Sequence, residues 1–110
     1  IINLKTSFEG HVGYIFVDPD YRRQGIGSSL LRKAEEWFRE YKVCREWAIT
    51  TPDNFATRKF LQHNGFRKVD LQKVKQILGS STKAKKLLWR MIWRPSDVIY
   101  VKYLELPVER

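Results

Sequence analysis

Arg22-Arg23-Gln24-Gly25-Ile26-Gly27 places two cations and two glycines within six residues, directly ahead of a helical pattern that starts at Ser28. Such a combination can hold an anion. A helix N-terminus presents four backbone N–H groups without intrahelical partners and carries partial positive charge. Glycines allow the backbone to approach an anion closely and to adopt conformations closed to other residues. Together these features form a phosphate site, to which Arg22 and Arg23 add charge-assisted contacts. The loop is not a Walker A sequence, which requires Gly-x-x-x-x-Gly-Lys-Ser/Thr. It also lacks the third glycine of a Rossmann fingerprint, where Leu30 stands. Gly-x-Gly alone fits a plain strand–helix turn with solvated arginines better than a phosphate site, so its surroundings decide.

Those surroundings are well punctuated. Ile1–Thr6 and Val12–Val17 are rich in β-branched and aromatic residues and read as strands, with Ser7-Phe8-Glu9-Gly10 as the hairpin loop. Asp18-Pro19-Asp20 ends the second strand. From Ser28 to Tyr41, Leu30, Leu31, Ala34, Trp37, Phe38 and Tyr41 recur at helical spacing with charges on the other side. Arg45–Thr50 reads as a short strand. Thr51-Pro52-Asp53-Asn54 closes it and offers N-caps for a second helix, which stops at Asn64-Gly65. Phe66–Leu71 is a strand candidate. Lys73–Trp93 is mainly helical, broken at Gly79-Ser80-Ser81 with Thr82 or a neighbouring serine as cap, and Val98–Leu106 is a last strand. The expected fold class is α/β, as one domain over residues 1–110.

Composition narrows the field. A 43% hydrophobic and 14% aromatic content supports one folded core. No apolar run approaches a membrane span and no signal-peptide pattern opens the chain, so the expectation is a cytoplasmic protein with no membrane partner. Cys44 is the sole cysteine, and His11 and His63 stand apart from any ligand cluster, so no metal site is expected. The net charge of +9 is lopsided: residues 67–94 carry nine cations against one acid, Asp70. A basic run is most often a solvated face, and otherwise marks an anionic partner.

Val17-Asp18-Pro19-Asp20-Tyr21-Arg22-Arg23-Gln24-Gly25-Ile26-Gly27-Ser28 closely resembles the acetyl-CoA motif of the GNAT N-acetyltransferase superfamily, Arg/Gln-x-x-Gly-x-Gly/Ala, met here as Arg22-x-x-Gly25-x-Gly27. A second family block, an Asn opening a helix that ends in Gly-Phe, is similar to Asn54 through Gly65-Phe66. The resemblance covers about residues 1–71 and the last strand. It implies a mixed, mostly antiparallel sheet with flanking helices and splayed central strands at Val12–Val17 and Arg45–Thr50. It further implies acetyl-CoA as cofactor. Ile15, Phe16 and Val17 would offer backbone hydrogen bonds to pantetheine. The backbone from Arg22 and Arg23 through Gln24, Gly25, Ile26 and Gly27, with Ser28, would hold the pyrophosphate, and Asn54 would touch the cofactor. The implied activity is direct attack of an amine on the thioester, where positioning supplies much of the rate and the amine must be deprotonated.

The chain departs from the family at three places. Leu61 occupies the usual tyrosine acid position and Ile49 a usual glutamate base position. The histone-acetyltransferase branch carries a glutamate four residues before the first pantetheine-contacting residue, which here is His11, an imidazole able to take a proton near neutral pH. Glu9 and Tyr14 are weaker candidates. Next, the strand and helices that usually precede the hairpin are missing from a chain that opens on Ile1, so an additional segment or a second copy is expected to complete the acceptor side. Finally, residues 72–96 form a basic helical insertion, too apolar at Leu87–Trp93 to be wholly exposed. Trp89 and Trp93, at i,i+4, are expected on one core face. The acceptor that the resemblance implies is an amine of a protein N-terminus, a lysine or a small molecule. The alternative is a weak or inactive module binding RNA, ribosome or an acidic partner through residues 67–94.

Overall fold

The computed structural model describes residues 1–13 and 25–105. They form β1 (Ile2–Asn3), β2 (Phe8–His11), α1 (Ile26–Glu40), β3 (Arg45–Thr50), α2 (Phe55–His63), β4 (Arg67–Val69), α3 (Leu71–Leu78), α4 (Ser81–Arg90) and β5 (Val98–Tyr103). The sheet order is β1-β2-β3-β5-β4. Only β2 and β3 run parallel, with Glu9 opposite Arg45, Gly10 opposite Glu46 and His11 opposite Trp47. The other pairs are antiparallel. The fold is therefore the expected α/β arrangement with a mostly antiparallel sheet and flanking helices. Val12 N donates to Trp47 O at 2.9 Å, and the splay expected beyond that point involves residues outside the described ones.

Strand alternation sends neighbouring residues to opposite faces, and both faces are covered. On one, Trp47, Ile99 and Val101 pack against Val74, Leu78, Ala84, Leu87, Leu88 and Met91 of the α3–α4 region. On the other, Ala48 and Tyr100 pack with Leu31 and Phe38 of α1 and Leu61 of α2. The 72–96 insertion thus serves as one of the two helical layers.

The first hairpin differs from the sequence expectation. Its turn lies at Leu4–Ser7, where Leu4 N donates to Ser7 O at 3.0 Å and Lys5 takes a left-handed φ of 72°. Phe8, Glu9 and Gly10, expected in the loop, belong with His11 to strand β2, because Glu9 finds non-local partners on β3. The strand expected at Phe66–Leu71 is only Arg67–Val69, since the Asp70 carboxylate caps α3 by accepting from Lys73 N at 2.8 Å. Ser80 caps α4.

Trp89 and Trp93 do not share a core face. α4 ends at Arg90, Trp89 is 76% exposed and Trp93 is half-buried. The helix closes in a Schellman arrangement, with Ile92 N donating to Trp89 O and Trp93 N to Leu88 O. α2 closes in the same way at Gly65, and α1 at Lys42.

Candidate functional site

The carboxyl ends of the parallel pair β2 and β3 point to the same edge of the sheet, and the chain leaves each of them toward a helix N-terminus, α1 and α2 respectively. This edge is where α/β sheets commonly present binding loops. Of the residues expected to line it, Ile15, Phe16, Val17, Arg22, Arg23 and Gln24, together with Tyr14, lie outside the described residues. Gly25, Ile26, Gly27, Ser28, Asn54 and His11 lie within them.

Gly25 is the N-cap of α1, in the left-handed region at φ 75° and ψ 11°. A Cβ there would meet no described residue within 4 Å. Among the described residues no side chain caps α1, and its first turn holds no acid. The other three helices are each capped by their own side chain: Asn54 on α2, Asp70 on α3 and Ser80 on α4. The N–H groups of Ile26, Gly27 and Ser28 therefore open α1 without a described acceptor, as an anion site requires. Asn54 Oδ1 accepts from Thr57 N at 3.2 Å, which leaves its amide N–H₂ without a described partner.

His11 ends β2, half-buried, and has no hydrogen-bond partner among the described residues. Burial pushes its pKa below the ordinary 6.5, so the imidazole is neutral at neutral pH. By register it shares a face with Trp47, opposite to α1. Glu9 is no base. Its carboxylate is wholly buried and accepts from Arg45 Nη2 at 3.2 Å and Trp47 Nε1 at 2.9 Å, with Arg45 Nε 2.9 Å from Oε1 as an ion pair. Burial works to lower the Arg45 pKa, but the charge of Glu9 and its hydrogen bond leave it raised. Arg45 Nη1 also donates to Ile77 O, tying the ion pair to α3.

A second carboxylate cluster, absent from the sequence reading, lies on the α1 face. Glu46 of β3 is wholly buried, and no N–H reaches either of its oxygens. Beside it are Glu35 of α1 and Lys102 of β5, whose Nζ sits 2.7 Å from Glu35 Oε2. Burial, a hydrogen bond to Glu35 and the charge of Glu35 push the Glu46 pKa up to about 9. Burial alone would raise Glu35, but hydrogen bonds from Glu46 and Lys102 and the charges of Lys102 and Arg39 leave it lowered. Glu46 is thus a neutral acid donating to the Glu35 carboxylate. Its only sequence signal is the alternation in Arg45–Thr50, which places Glu46 with Ala48 on a covered face.

Leu61 and Ile49, the departures from the expected acid and base positions, both carry apolar side chains packed in the two cores.

A mixed sheet with one parallel pair, an uncapped glycine-led helix after the first parallel strand and an Asn-led helix after the second define an acetyltransferase-type fold. Residues 1–66 match the Acetyltransferase (GNAT) family, and the chain belongs to it. It is 34% identical over 76 residues to the uncharacterized protein YxbD of Bacillus subtilis strain 168, covering 61% of this chain and 48% of that protein. Among solved structures it is similar to the PaiA N-acetyltransferase of Thermoplasma acidophilum in complex with coenzyme A. The TM-score is 0.63 with 19% identity, over 86% of this chain and 46% of that one. A putative streptothricin acetyltransferase from Bacillus anthracis in complex with acetyl coenzyme A gives a TM-score of 0.59 and 23% identity, over 86% and 48%. The chain spans about half the length of these relatives.

Proposed function

We propose that the chain is the cofactor-binding part of an N-acetyltransferase that moves the acetyl group of acetyl-CoA to an amine. The observation that carries this reading is the start of α1: a left-handed glycine, three N–H groups with no acceptor among the described residues and no acid in the first turn. The neighbours solved with coenzyme A or acetyl coenzyme A share the fold, which supports the same cofactor here. Acetyl-CoA supplies an activated thioester carbonyl. The first turn of α1 holds the pyrophosphate, and Arg22 and Arg23 add charge to it. Asn54 offers its free amide N–H₂ from the N-terminus of α2. His11 takes the proton of the attacking amine, a role for which its depressed pKa keeps it unprotonated near neutral pH.

Gly27→Asp separates binding from folding. An aspartate in the first turn favours the helix through its dipole, yet opposes a pyrophosphate at the same N–H groups. Coenzyme A should raise the melting temperature of the parent chain and leave Gly27→Asp unmoved; equal stabilisation of both would overturn the placement. His11→Ala should lower the acetylation rate by about 10²-fold or more and remove the acid limb of the pH–rate profile below about 6.5. An unaltered rate and profile would remove His11 from the mechanism.

A further inference from the structure

Independently of the acetyl-transfer reading, we propose that the corner formed by Trp89, Arg90 and Ile92 at the end of α4 docks on an anionic phospholipid bilayer surface. Trp89 and Ile92, 76% and 78% exposed, are the most exposed of the large hydrophobic residues among those described. With Arg90 and Trp93 they line an open cavity of about 570 Å³. Scattered exposed apolar residues are ordinary, but two neighbouring ones at a helix end form a patch.

The backbone at this corner strengthens the inference. Ile92 occupies the C′ position of the Schellman turn at φ 59°, a left-handed conformation that a β-branched residue rarely adopts. The equivalent position after α2 is Gly65, at φ 89°. Folding gains nothing from an isoleucine at this position, since its side chain projects into solvent and glycine would relieve the backbone. Such strain gathers at functional sites.

Charge identifies the occupant. Residues 72–96 contain Lys73, Lys75, Lys83, Lys85, Lys86, Arg90 and Arg94 and no acid. None of these seven makes an ion pair with a described residue, and Lys85, Lys86, Arg90 and Arg94 are exposed. Lys85 and Lys86 lie one turn before Trp89 and share its side of the helix. A second copy of the chain would bring these cations against their own likeness. A single-stranded nucleic acid requires successive stacking platforms, whereas the corner offers one well-exposed indole beside an aliphatic side chain. A bilayer surface satisfies every group: Ile92 enters the acyl boundary, the Trp89 indole sits at headgroup level, and the cations meet lipid phosphates. Among the described residues no helix is long and apolar enough to cross a membrane, so this is contact with a surface. It departs from the expectation of no membrane partner, which rested on the lack of a span.

Flotation with vesicles of phosphatidylcholine containing 30 mol% phosphatidylserine tests the proposal, with pure phosphatidylcholine vesicles, an oligo(dT) strand and sedimentation equilibrium alongside. The chain should float with the anionic vesicles alone, with a blue-shifted tryptophan emission, and added salt should release it. Ile92→Gly should raise the melting temperature while lowering vesicle affinity at least fivefold, and Lys85→Glu/Lys86→Glu should abolish binding with the fold intact. Coenzyme A binding should be unaffected by all three substitutions. The proposal is overturned by failure to bind anionic vesicles, by binding that Ile92→Gly leaves intact, by preference for the oligonucleotide, or by self-association through this corner.

Discussion

Glu9 and Glu46 sit one row apart in the β2–β3 register and are both completely buried, yet they reach opposite protonation states. Glu9 faces the α3–α4 layer, where a guanidinium and an indole N–H satisfy both oxygens of a carboxylate. Glu46 faces α1, where the nearby ammonium of Lys102 pairs with Glu35 instead and Arg39 acts only through its charge. Neither cation pairs with Glu46 directly, and the proton that Glu46 keeps avoids a second buried negative charge beside Glu35. Burial alone does not set the charge of an acid; the count of donors within reach does.

The largest test of this contrast is Arg45→Ala, which strands the Glu9 charge and should cost about 3–5 kcal/mol. Urea unfolding measures it, and adding Glu9→Gln should recover much of the loss. A cost below about 1 kcal/mol would place Glu9 among exposed pairs rather than buried ones.

Next in size is the pH dependence of Glu46. Its folded pKa of about 9 lies above the ordinary 4.5, so between these values the folded state binds a proton that the unfolded state lacks. Stability must therefore fall as pH rises through that window. Glu46→Gln keeps a donor for Glu35 and cannot ionise. It should flatten the decline and exceed the parent chain in denaturation midpoint at pH 9–10. A parent chain of constant stability from pH 5 to 9 would mean that Glu46 is not a neutral acid.

The smallest effect sharpens the geometry. Gly10 lies opposite Glu46, and a Cβ there would stand 3.1 Å from the Phe38 ring of α1. Gly10→Ala should cost about 1–3 kcal/mol by overpacking. It should also move the alkaline titration of Glu46, because α1 carries Glu35; a loss of stability without that movement would uncouple the two.

What could be read in the sequence was local. The α1 periodicity, the Asn54 cap, the Asn64-Gly65 stop and the glycine loop are each carried by residues within a few positions of one another. The Asn54 cap and the Asn64-Gly65 stop stand where expected, while α1 begins at Ile26, two residues before the pattern from Ser28 and inside the glycine loop. What escaped was non-local. Phe8-Glu9-Gly10 resembles a loop until Arg45 arrives to pair with Glu9 and Trp47 to donate to it. Glu46 resembles a solvated strand position until α1 closes over it. Trp89 resembles a core residue because the periodicity does not reveal that the helix ends at Arg90. The acid and base positions at Leu61 and Ile49 were legible only as departures, and the structure places apolar packing there.

The parallel pairing of β2 with β3 also sets a timetable. β3 has no partner next to it in sequence: β2 is separated from it by α1, and β5 follows only after α2, β4, α3 and α4. Folding is thereby weighted toward distant contacts, which slows it relative to a helical bundle of equal size. At roughly 5–20 residues per second of synthesis, the roughly fifty residues between Thr50 and Val98 leave Trp47 and the Glu9–Arg45 pair without the β5 side of their sheet for a few seconds. During that interval the apolar edge of β3 is open to the wrong partner, and the nascent chain is most exposed to aggregation.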